Sequence, residues 1–257
     1  MANEREAGQA LAEARRERRQ LAALPGGLPT DEAHAYAIQR EAIQAYGAKP
    51  VGYKIGATNP EAQVMLGTDH PFRAPLFATD CYENDAVIKE PGHGLIGLEP
   101  EFALRLGHDL PMREAPYGLD DIRTAVASVH PAFELVGLRL PDELFRQAVI
   151  VTTDFGANVG FVGGEGVSDW ARYDLSTIDV HATVDGEEVA SGSGANVLGH
   201  PLNALLWLAN NLKAPDLALR AGDWVSTGTC AGVIKIAPGQ TAVANFGPFG
   251  EVKLTLH

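Results

Sequence analysis

Two glutamates, Glu99 and Glu101, lie two residues apart in the segment GLEPEFALRLG, a spacing at which their carboxylates could act together. The apolar residues around them predict a strand, and the period of two in a strand places both side chains on one face. Two carboxylates that point the same way repel each other unless a cation lies between them. Mg²⁺ and Mn²⁺ prefer oxygen ligands of this kind and keep positions open for water and substrate. A solvated strand face would also show this spacing.

A third acidic residue, Glu134, lies in the apolar run HPAFELVGLRL, which also predicts a strand. A glutamate inside such a run is costly to bury unless it is paired or bound to a metal. Glu99, Glu101 and Glu134 are therefore candidate ligands of Mg²⁺ or Mn²⁺. From the residues alone, the metal site and the solvated face are about equally supported.

The elements that must position these acids begin with a helical N-terminal region. Residues 3–23 are rich in Ala, Glu, Arg and Leu, which favour a helix, and Pro25-Gly26-Gly27 follows them. A second helix is predicted from Thr30 to Tyr46, because Gly47 follows.

After Pro50, short apolar runs alternate with Gly, Pro, Asp and Asn, and this pattern predicts strands. Asp185-Gly186 marks the turn of a predicted hairpin. Helices are predicted at 119–128 and 201–212, and His200 precedes the second, where an imidazole can cap or pack. The runs predicted as strands are 51–55, 86–88, 101–106, 178–184, 224–226, 232–236 and 252–256.

The whole pattern predicts an α+β protein, with a helical N-terminal region at 1–75 and a β-rich catalytic domain at 76–257. Hydrophobic residues make up 46% and charged residues 21%, which is an ordinary globular mix. The formal net charge of −13 argues against nucleic acid or an anionic membrane surface as a partner. No apolar run approaches the roughly 20 residues that span a bilayer, and the first residues lack an apolar signal core. A cytoplasmic location and free thiols at Cys81 and Cys230 are expected.

Five ordered motifs give the chain a resemblance to a known family. Over about residues 30–257 it resembles the 2-oxopent-4-enoate hydratase / 4-oxalocrotonate decarboxylase family of the fumarylacetoacetate hydrolase superfamily. This resemblance implies a β-rich body with a rolled sheet, preceded by helices. The motifs are GYKIG at 52–56, ExE at 99–101, HPAFELV at 130–136, SGSGANVLGHPLNALLWLANNL at 191–212 and AGDWVSTGTCAGVIKIAPG at 221–239.

The resemblance assigns roles to individual residues. It implies that the glutamates at 99, 101 and 134 bind Mg²⁺ or Mn²⁺ and that Lys54 lies in the active site. A 2-oxo acid can chelate such a metal through its carboxylate and its C2 oxygen, which favours the enolate. Lys54 either moves protons with a lowered pKa or stays charged and pairs with a carboxylate. The segment implied to contact the substrate carboxylate consists of Thr227, Gly228 and Thr229.

Two segments depart from the family pattern. Some hydratases of the family carry an Asp just after the proline of a DQP-like segment, where this chain has Phe72. Asp69 and His70, which precede it, are the expected proton shuttles. An ADNAS-type segment is represented here by TDFGAN, which keeps Asp154 but lacks the serines, and Asn158 is the expected polar replacement that binds substrate. Substrate choice and proton routing therefore stay open.

The resemblance implies an enzyme that adds water to a 2-hydroxy-2,4-dienoate and forms a 4-hydroxy-2-oxo acid, in the degradation of aromatic ring-cleavage products. The alternatives are decarboxylation of a 2-oxo-dienedioate, C–C bond hydrolysis of an acylpyruvate, and a non-catalytic subunit. The expected partner is a small 2-oxo or 2-hydroxy-dienoic acid. A homo-oligomer is also expected. Because hydratase and decarboxylase chains of this family can associate, a partner chain of either kind is a further expectation.

Overall fold

A computed structural model describes residues 2–89, 94–212 and 217–257. Short single-turn helices connect many of the regular elements. Among the described residues, the α-helices are α1 (Ala2–Glu17), α2 (Glu32–Tyr46), α3 (Pro60–Leu66), α4 (Leu119–Ala125), α5 (Ala148–Thr153) and α6 (Pro201–Asn211).

The strands occupy most of the chain after α2. Within the described ranges they are β1 (Pro50–Gly56), β2 (Phe72–Phe77), β3 (Cys81–Glu83), β4 (Ala86–Ile88), β5 (Leu95–Leu106), β6 (Val126–Gly137), β7 (Asn158–Gly163), β8 (Asp179–Val184), β9 (Glu187–Ser193), β10 (Trp224–Thr229), β11 (Thr241–Asn245) and β12 (Glu251–Leu256).

These strands form two mixed sheets. A seven-stranded sheet has the order β2-β1-β10-β5-β6-β7-β3, and it curls so that β2 at one edge contacts β7 near the other. A five-stranded sheet has the order β4-β12-β11-β8-β9 and contains the hairpin predicted at Asp185-Gly186. The predicted α+β class and rolled sheet are therefore confirmed.

The two faces of the curled sheet bury different cores. On one face the long strands β5 and β6 contribute Phe102 and Phe133 to the main core, which also contains residues of α4, α6 and the five-stranded sheet. A second cluster joins α1, α2 and α5 and includes Leu11, Ile38 and Phe155. The N-terminal helices are thus packed against the body of the molecule and do not form a separate appendage.

Local sequence explains where the N-terminal helices begin and end. The side chain of Asp31 caps α2 by accepting a hydrogen bond from the backbone N–H of His34, and Gly47 ends the helix in the left-handed conformation. Helix α1 ends at Glu17, earlier than the predicted residue 23, because Arg18 adopts a left-handed φ of 52°.

The predicted division at residues 75 and 76 does not coincide with an edge of the sheet. Strand β1 lies before residue 76 and β2 (Phe72–Phe77) spans it, yet β1 pairs in parallel with β10 and in antiparallel fashion with β2. β1 joins the seven-stranded sheet by pairing with β10, which lies far along the chain, and β2 joins it as an edge strand by pairing with β1. The run at 232–236 is also not a strand, since only Ile234 forms an isolated bridge, to Leu98.

Two simpler expectations can be compared directly with the described structure. Cys81 and Cys230 are free thiols, as predicted. In the described part of the chain, no helix combines the length and the apolar character that a membrane crossing requires.

Candidate metal centre

Three carboxylates converge on one face of the curled sheet. Strands β5 and β6 pair in antiparallel fashion with Glu99 directly opposite Glu134, and Glu101 lies two residues further along β5 on the same face. One carboxylate oxygen from each of the three residues lies within 4.8 Å of the others. Leu98 and Phe102, which alternate with the glutamates, are fully buried in the main core. The alternation of β5 therefore directs its acids away from the apolar core.

Glu101 is held by a bulge in β10. Its Oε2 accepts hydrogen bonds from the Ser226 hydroxyl at 2.5 Å and from the Gly228 backbone N–H at 2.8 Å. The register of β10 against β5 shifts between Ser226 and Thr229, which turns the Gly228 N–H toward the carboxylate. Gly228 has φ 107°, and a Cβ there would lie 1.8 Å from the Thr58 hydroxyl oxygen. Glycine is therefore required at this position.

Glu134 is held through both of its oxygens. Its Oε2 lies 3.0 Å from the Lys54 ammonium, which also donates to the Gly156 carbonyl at 3.0 Å. Its Oε1 accepts a hydrogen bond from the Asn158 side-chain amide at 3.1 Å. Lys54 comes from β1 and Asn158 from β7, so two strands fix the orientation of one carboxylate.

Burial and mutual repulsion perturb these groups. Burial raises the pKa of Glu99 to about 7 although Lys54 opposes this, and Glu134 adds to the rise. Burial, followed by the charges of Glu134 and Glu99, raises the pKa of Glu101 well above its usual value. Burial lowers the pKa of Lys54, but the three carboxylates outweigh it and the net shift is upward. Lys54 therefore stays charged beside Glu134.

The donor set fits a hard divalent cation. Three carboxylates face a single ammonium group at this point. The Oε1 atom of Glu101 is buried and has no hydrogen-bond partner among the residues that the structure describes. A buried carboxylate oxygen without a donor is costly, and a cation that prefers oxygen ligands removes that cost.

A small cavity of about 50 Å³ opens beside the carboxylates. This space holds only a few water molecules, so a larger ligand requires its wall to move. Its polar lining includes Lys54, Glu99 and Thr229. Much of the remaining wall is apolar and includes Met65, Phe72, Val136, Phe145, Val151 and Val233.

The structure brings together most of the residues that the sequence singled out. Lys54, Glu99, Gly228 and Thr229 line the cavity. Thr227 is not part of this lining, because it is buried and its hydroxyl donates to the Phe102 carbonyl at 2.8 Å. Asn158 is also absent from the lining, and its amide contacts a carboxylate of the triad instead of facing the space available to a substrate.

Asp69 and His70 lie outside this arrangement. They follow α3 and line a neighbouring groove together with Glu32 and Arg146. The Asp69 side chain is 97% exposed, and the Nε2 atom of His70 lies 3.6 Å from Glu32. Phe72, by contrast, is buried, and its ring centroid lies 5.4 Å from the Lys54 ammonium.

Sequence reasoning missed two supporting residues. Ser226 binds Glu101, and the carbonyl of Gly156 binds Lys54. Ser226 stands two residues before Gly228 in the motif AGDWVSTGT, and this proximity was the available signal. Gly156 has φ 66°, and a Cβ there would lie 2.6 Å from the Cβ of Ala74. Only the folded chain reveals that contact.

Comparison with known proteins places this centre in a family. Residues 61–257 match the family described as fumarylacetoacetate (FAA) hydrolase C-terminal. A 2-keto-4-pentenoate hydratase of Burkholderia vietnamiensis is 34% identical over 234 residues, which cover 90% of this chain and 87% of the relative. A 2-hydroxyhexa-2,4-dienoate hydratase of Comamonas testosteroni is 32% identical over 237 residues, which cover 91% and 89%.

A solved structure is similar along nearly the whole chain. It is the 4-oxalocrotonate decarboxylase of Pseudomonas putida G7 complexed with magnesium and adipate, with a TM-score of 0.87 and 27% identity. The alignment covers 98% of each chain. The match to the family over residues 61–257 and the identity to the two hydratases lead to one conclusion: this chain belongs to the fumarylacetoacetate hydrolase family.

Proposed function

We propose that this protein is a metal-dependent hydratase that adds water to a 2-hydroxy-2,4-dienoate of the 2-oxopent-4-enoate type. The product is a 4-hydroxy-2-oxo acid. The carboxylate triad and its cavity support this proposal, as do the hydratases among the relatives. The ion that fits the oxygen donors is Mg²⁺ or Mn²⁺.

The charge and polarity of the residues that line the cavity favour one class of substrate. Of the described residues that line the cavity, Lys54 is the only one with a cationic side chain, and it is already paired with Glu134. A substrate with one carboxylate and an apolar tail suits the wall of Val136, Phe145 and Val151. A second carboxylate at the far end of the substrate would lose its hydration without a compensating cation.

The residues of the site have different roles in the proposed reaction. Glu99, Glu101 and Glu134 hold the ion, which when bound supplies Lewis-acid polarisation of the C2 oxygen of the substrate. The ammonium of Lys54 keeps its proton beside Glu134 and fixes that carboxylate. Thr229, on β10, lines the cavity, and its hydroxyl, which donates to the Gly232 carbonyl at 2.9 Å, would exchange that bond to orient the substrate carboxylate. Asp69 and His70 retain the proposed proton-shuttling role only if the loop after α3 moves inward.

Decarboxylation of a 2-oxo-dienedioate is the second candidate. The similarity to the decarboxylase structure over 98% of the chain favours it. The two reactions start from different acids, since the decarboxylase substrate carries a second carboxylate. The absence of a second cation in the described cavity lining makes hydration the better supported reaction.

Product analysis separates the two functions. The chain is incubated with Mn²⁺ and 2-hydroxypenta-2,4-dienoate in one series, and with Mn²⁺ and 2-oxohex-3-enedioate in the other. We expect the 4-hydroxy-2-oxo acid in the first series, detected by NMR, and little CO₂ in the second. Release of CO₂ at a faster rate than hydration would replace the proposal with the decarboxylase function. Turnover of neither acid, with Mn²⁺ bound, would support the non-catalytic subunit.

A further inference from the structure

Arg15, near the end of α1, is buried far more deeply than an arginine normally is. Its side chain is 1% exposed. The guanidinium lies 5.3, 4.9 and 5.0 Å from the ring centroids of Tyr46, Phe77 and Phe155. Burial of a charge at this depth is costly unless hydrogen bonds and a counter-charge compensate for it.

The hydrogen bonds of Arg15 have two destinations. Its Nε and Nη2 atoms donate to Asp80 at 3.0 and 2.6 Å, which forms an ion pair. Its Nη1 donates to the backbone carbonyl of Asn158 at 2.7 Å, and Nη2 donates to the Asn158 side-chain oxygen at 3.2 Å. One guanidinium therefore contacts both the main chain and the side chain of Asn158.

The side chain of Asn158 connects Arg15 to the metal centre. Its Nδ2 donates to Oε1 of Glu134 at 3.1 Å and to the Gly160 carbonyl at 3.1 Å. If the amide were rotated by half a turn, its NH₂ would face the Arg15 donors and its oxygen would face a carboxylate and a carbonyl. The guanidinium of Arg15, together with the Gly160 carbonyl, thus favours the amide orientation that donates to Glu134.

We propose that Arg15 is a positioning residue of the metal centre, which orients Glu134 through the side chain of Asn158. This inference rests on the metal site of the proposed function. Arg15 precedes residues 61–257, the part of the chain that matches the family. The first helix therefore contributes to the centre from outside the matched region.

A purely structural role for Arg15 would predict different behaviour. In that case Arg15 would serve only to anchor α1, through its ion pair with Asp80 and its contacts with three aromatic rings. If anchoring were the whole role, loss of either partner of that ion pair would change metal binding to the same extent. If Arg15 orients Glu134, only the loss of its donors to Asn158 affects the metal.

The test compares Mn²⁺ affinity in the full chain, measured by electron paramagnetic resonance of free and bound Mn²⁺. Arg15→Met keeps the length of the side chain but removes every donor, and we expect Mn²⁺ to bind roughly 10-fold more weakly. Asp80→Asn, the matched control, removes the charge partner but keeps both contacts with Asn158. We expect Asp80→Asn to bind Mn²⁺ as wild type does, even if its midpoint of thermal unfolding is lower.

A double-mutant cycle tests whether the effect passes through Asn158. Asn158→Ala removes the donor to Glu134, so adding Arg15→Met to it should weaken Mn²⁺ binding no further. Equal Mn²⁺ affinity in wild type and Arg15→Met, or additive losses in the cycle, would overturn the inference and leave the metal site intact. If Arg15→Met does not fold, Asn158→Asp gives the decision, since it keeps an acceptor for Arg15 but opposes Glu134. Wild-type affinity in that variant would equally overturn the inference, and no Mn²⁺ binding by wild type would overturn the proposed function with it.

Discussion

The two oxygens of Glu101 have opposite environments, and this asymmetry predicts the effect of its substitution. Oε2 receives two donors, whereas Oε1 has none among the described residues. Glu101→Gln must place an NH₂ group either against the donors of Ser226 and Gly228 or toward the metal. We expect Mn²⁺ affinity to fall by at least roughly 10-fold, measured by isothermal titration calorimetry.

Glu188→Gln is the matched control, because Glu188 is exposed on β9 and pairs with His181. It should bind Mn²⁺ as wild type does. Unchanged binding by Glu101→Gln would remove Glu101 from the ligand set.

Gly228 and Gly232 offer a second comparison between single residues. Both have positive φ, at 107° and 78°, but only a Cβ at 228 would meet a neighbour, the Thr58 hydroxyl, at 1.8 Å. Gly232→Ala should cost about 1–3 kcal/mol of backbone strain. Gly228→Ala should cost more and should also weaken Mn²⁺ binding, because the 228 N–H is displaced from Glu101. Urea unfolding measures the loss of stability in each variant. Equal free energies of unfolding for Gly228→Ala and Gly232→Ala would contradict the expected clash at residue 228.

The residue scale also shows what sequence can and cannot predict about the site. The three glutamates could be predicted from the sequence, because two share a strand face and the third interrupts an apolar run. The orientation of Asn158 was not accessible, because it depends on Arg15, which lies 143 residues earlier in the chain. A sequence motif identifies residue types, but it does not show that the Arg15 guanidinium orients the Asn158 amide.

At the scale of elements, we expect the cap of α6 to be sensitive to pH. The Nδ1 atom of His200 accepts a hydrogen bond from the Leu202 N–H at 3.1 Å, which fulfils the predicted capping role. Burial lowers the pKa of His200, although Asp174 raises it, and Arg123 lowers it further. As pH falls through about 6.5, the unfolded chain takes up a proton before the folded chain does, so the free energy of unfolding decreases.

His200→Asn removes this titration and keeps a side chain that caps helices well. We expect the free energy of urea unfolding to fall less between about pH 7.5 and about pH 5.5 in this variant than in wild type. The same fall in both proteins would show that His200 does not contribute to the pH dependence.

Element prediction failed where tertiary pairing decided the outcome. Apolar residues at 232–236 have strand character, yet Gly232 adopts a left-handed φ of 78° and only Ile234 forms a bridge. Strand β7 was missed because its sequence, NVGFVG, contains two glycines, and its pairing with β6 comes from hydrogen bonds across the sheet. Helix α6 was predicted closely, because Pro201 and the apolar period are local signals.

For the whole molecule, the metal should act as a source of stability. Three carboxylates, of which Glu101 and Glu134 are fully buried, lie near one ammonium, and a bound dication would offset their mutual repulsion. At a Mn²⁺ concentration about 100 times Kd, binding adds about 2.7 kcal/mol, which corresponds to a rise of about 5–10 °C in Tm. Differential scanning calorimetry with Mn²⁺ and with a chelator measures this shift. Glu101→Gln should lack it, and a wild-type Tm independent of Mn²⁺ would contradict the metal site.

Assembly into a homo-oligomer stays a prediction. Both edge strands of the five-stranded sheet carry exposed valines, with Val87 on β4 and Val189 on β9 at 68% and 51% exposure. Exposed apolar edges favour pairing with another chain. Light scattering should give a multiple of the chain mass of 27.3 kDa, and a mass of one chain would exclude a stable homo-oligomer.

The position of β10 in the sheet has a consequence for protein synthesis. β10 lies between β1 and β5, and its Ser226 and Gly228 follow Glu101 by 125 and 127 residues. A ribosome therefore releases the triad long before the strand that completes it. Until residues 224–229 emerge, β1 and β5 each have an unpaired edge, and such edges invite aggregation. A nascent chain arrested before residue 224 should depend on chaperones and should not retain Mn²⁺.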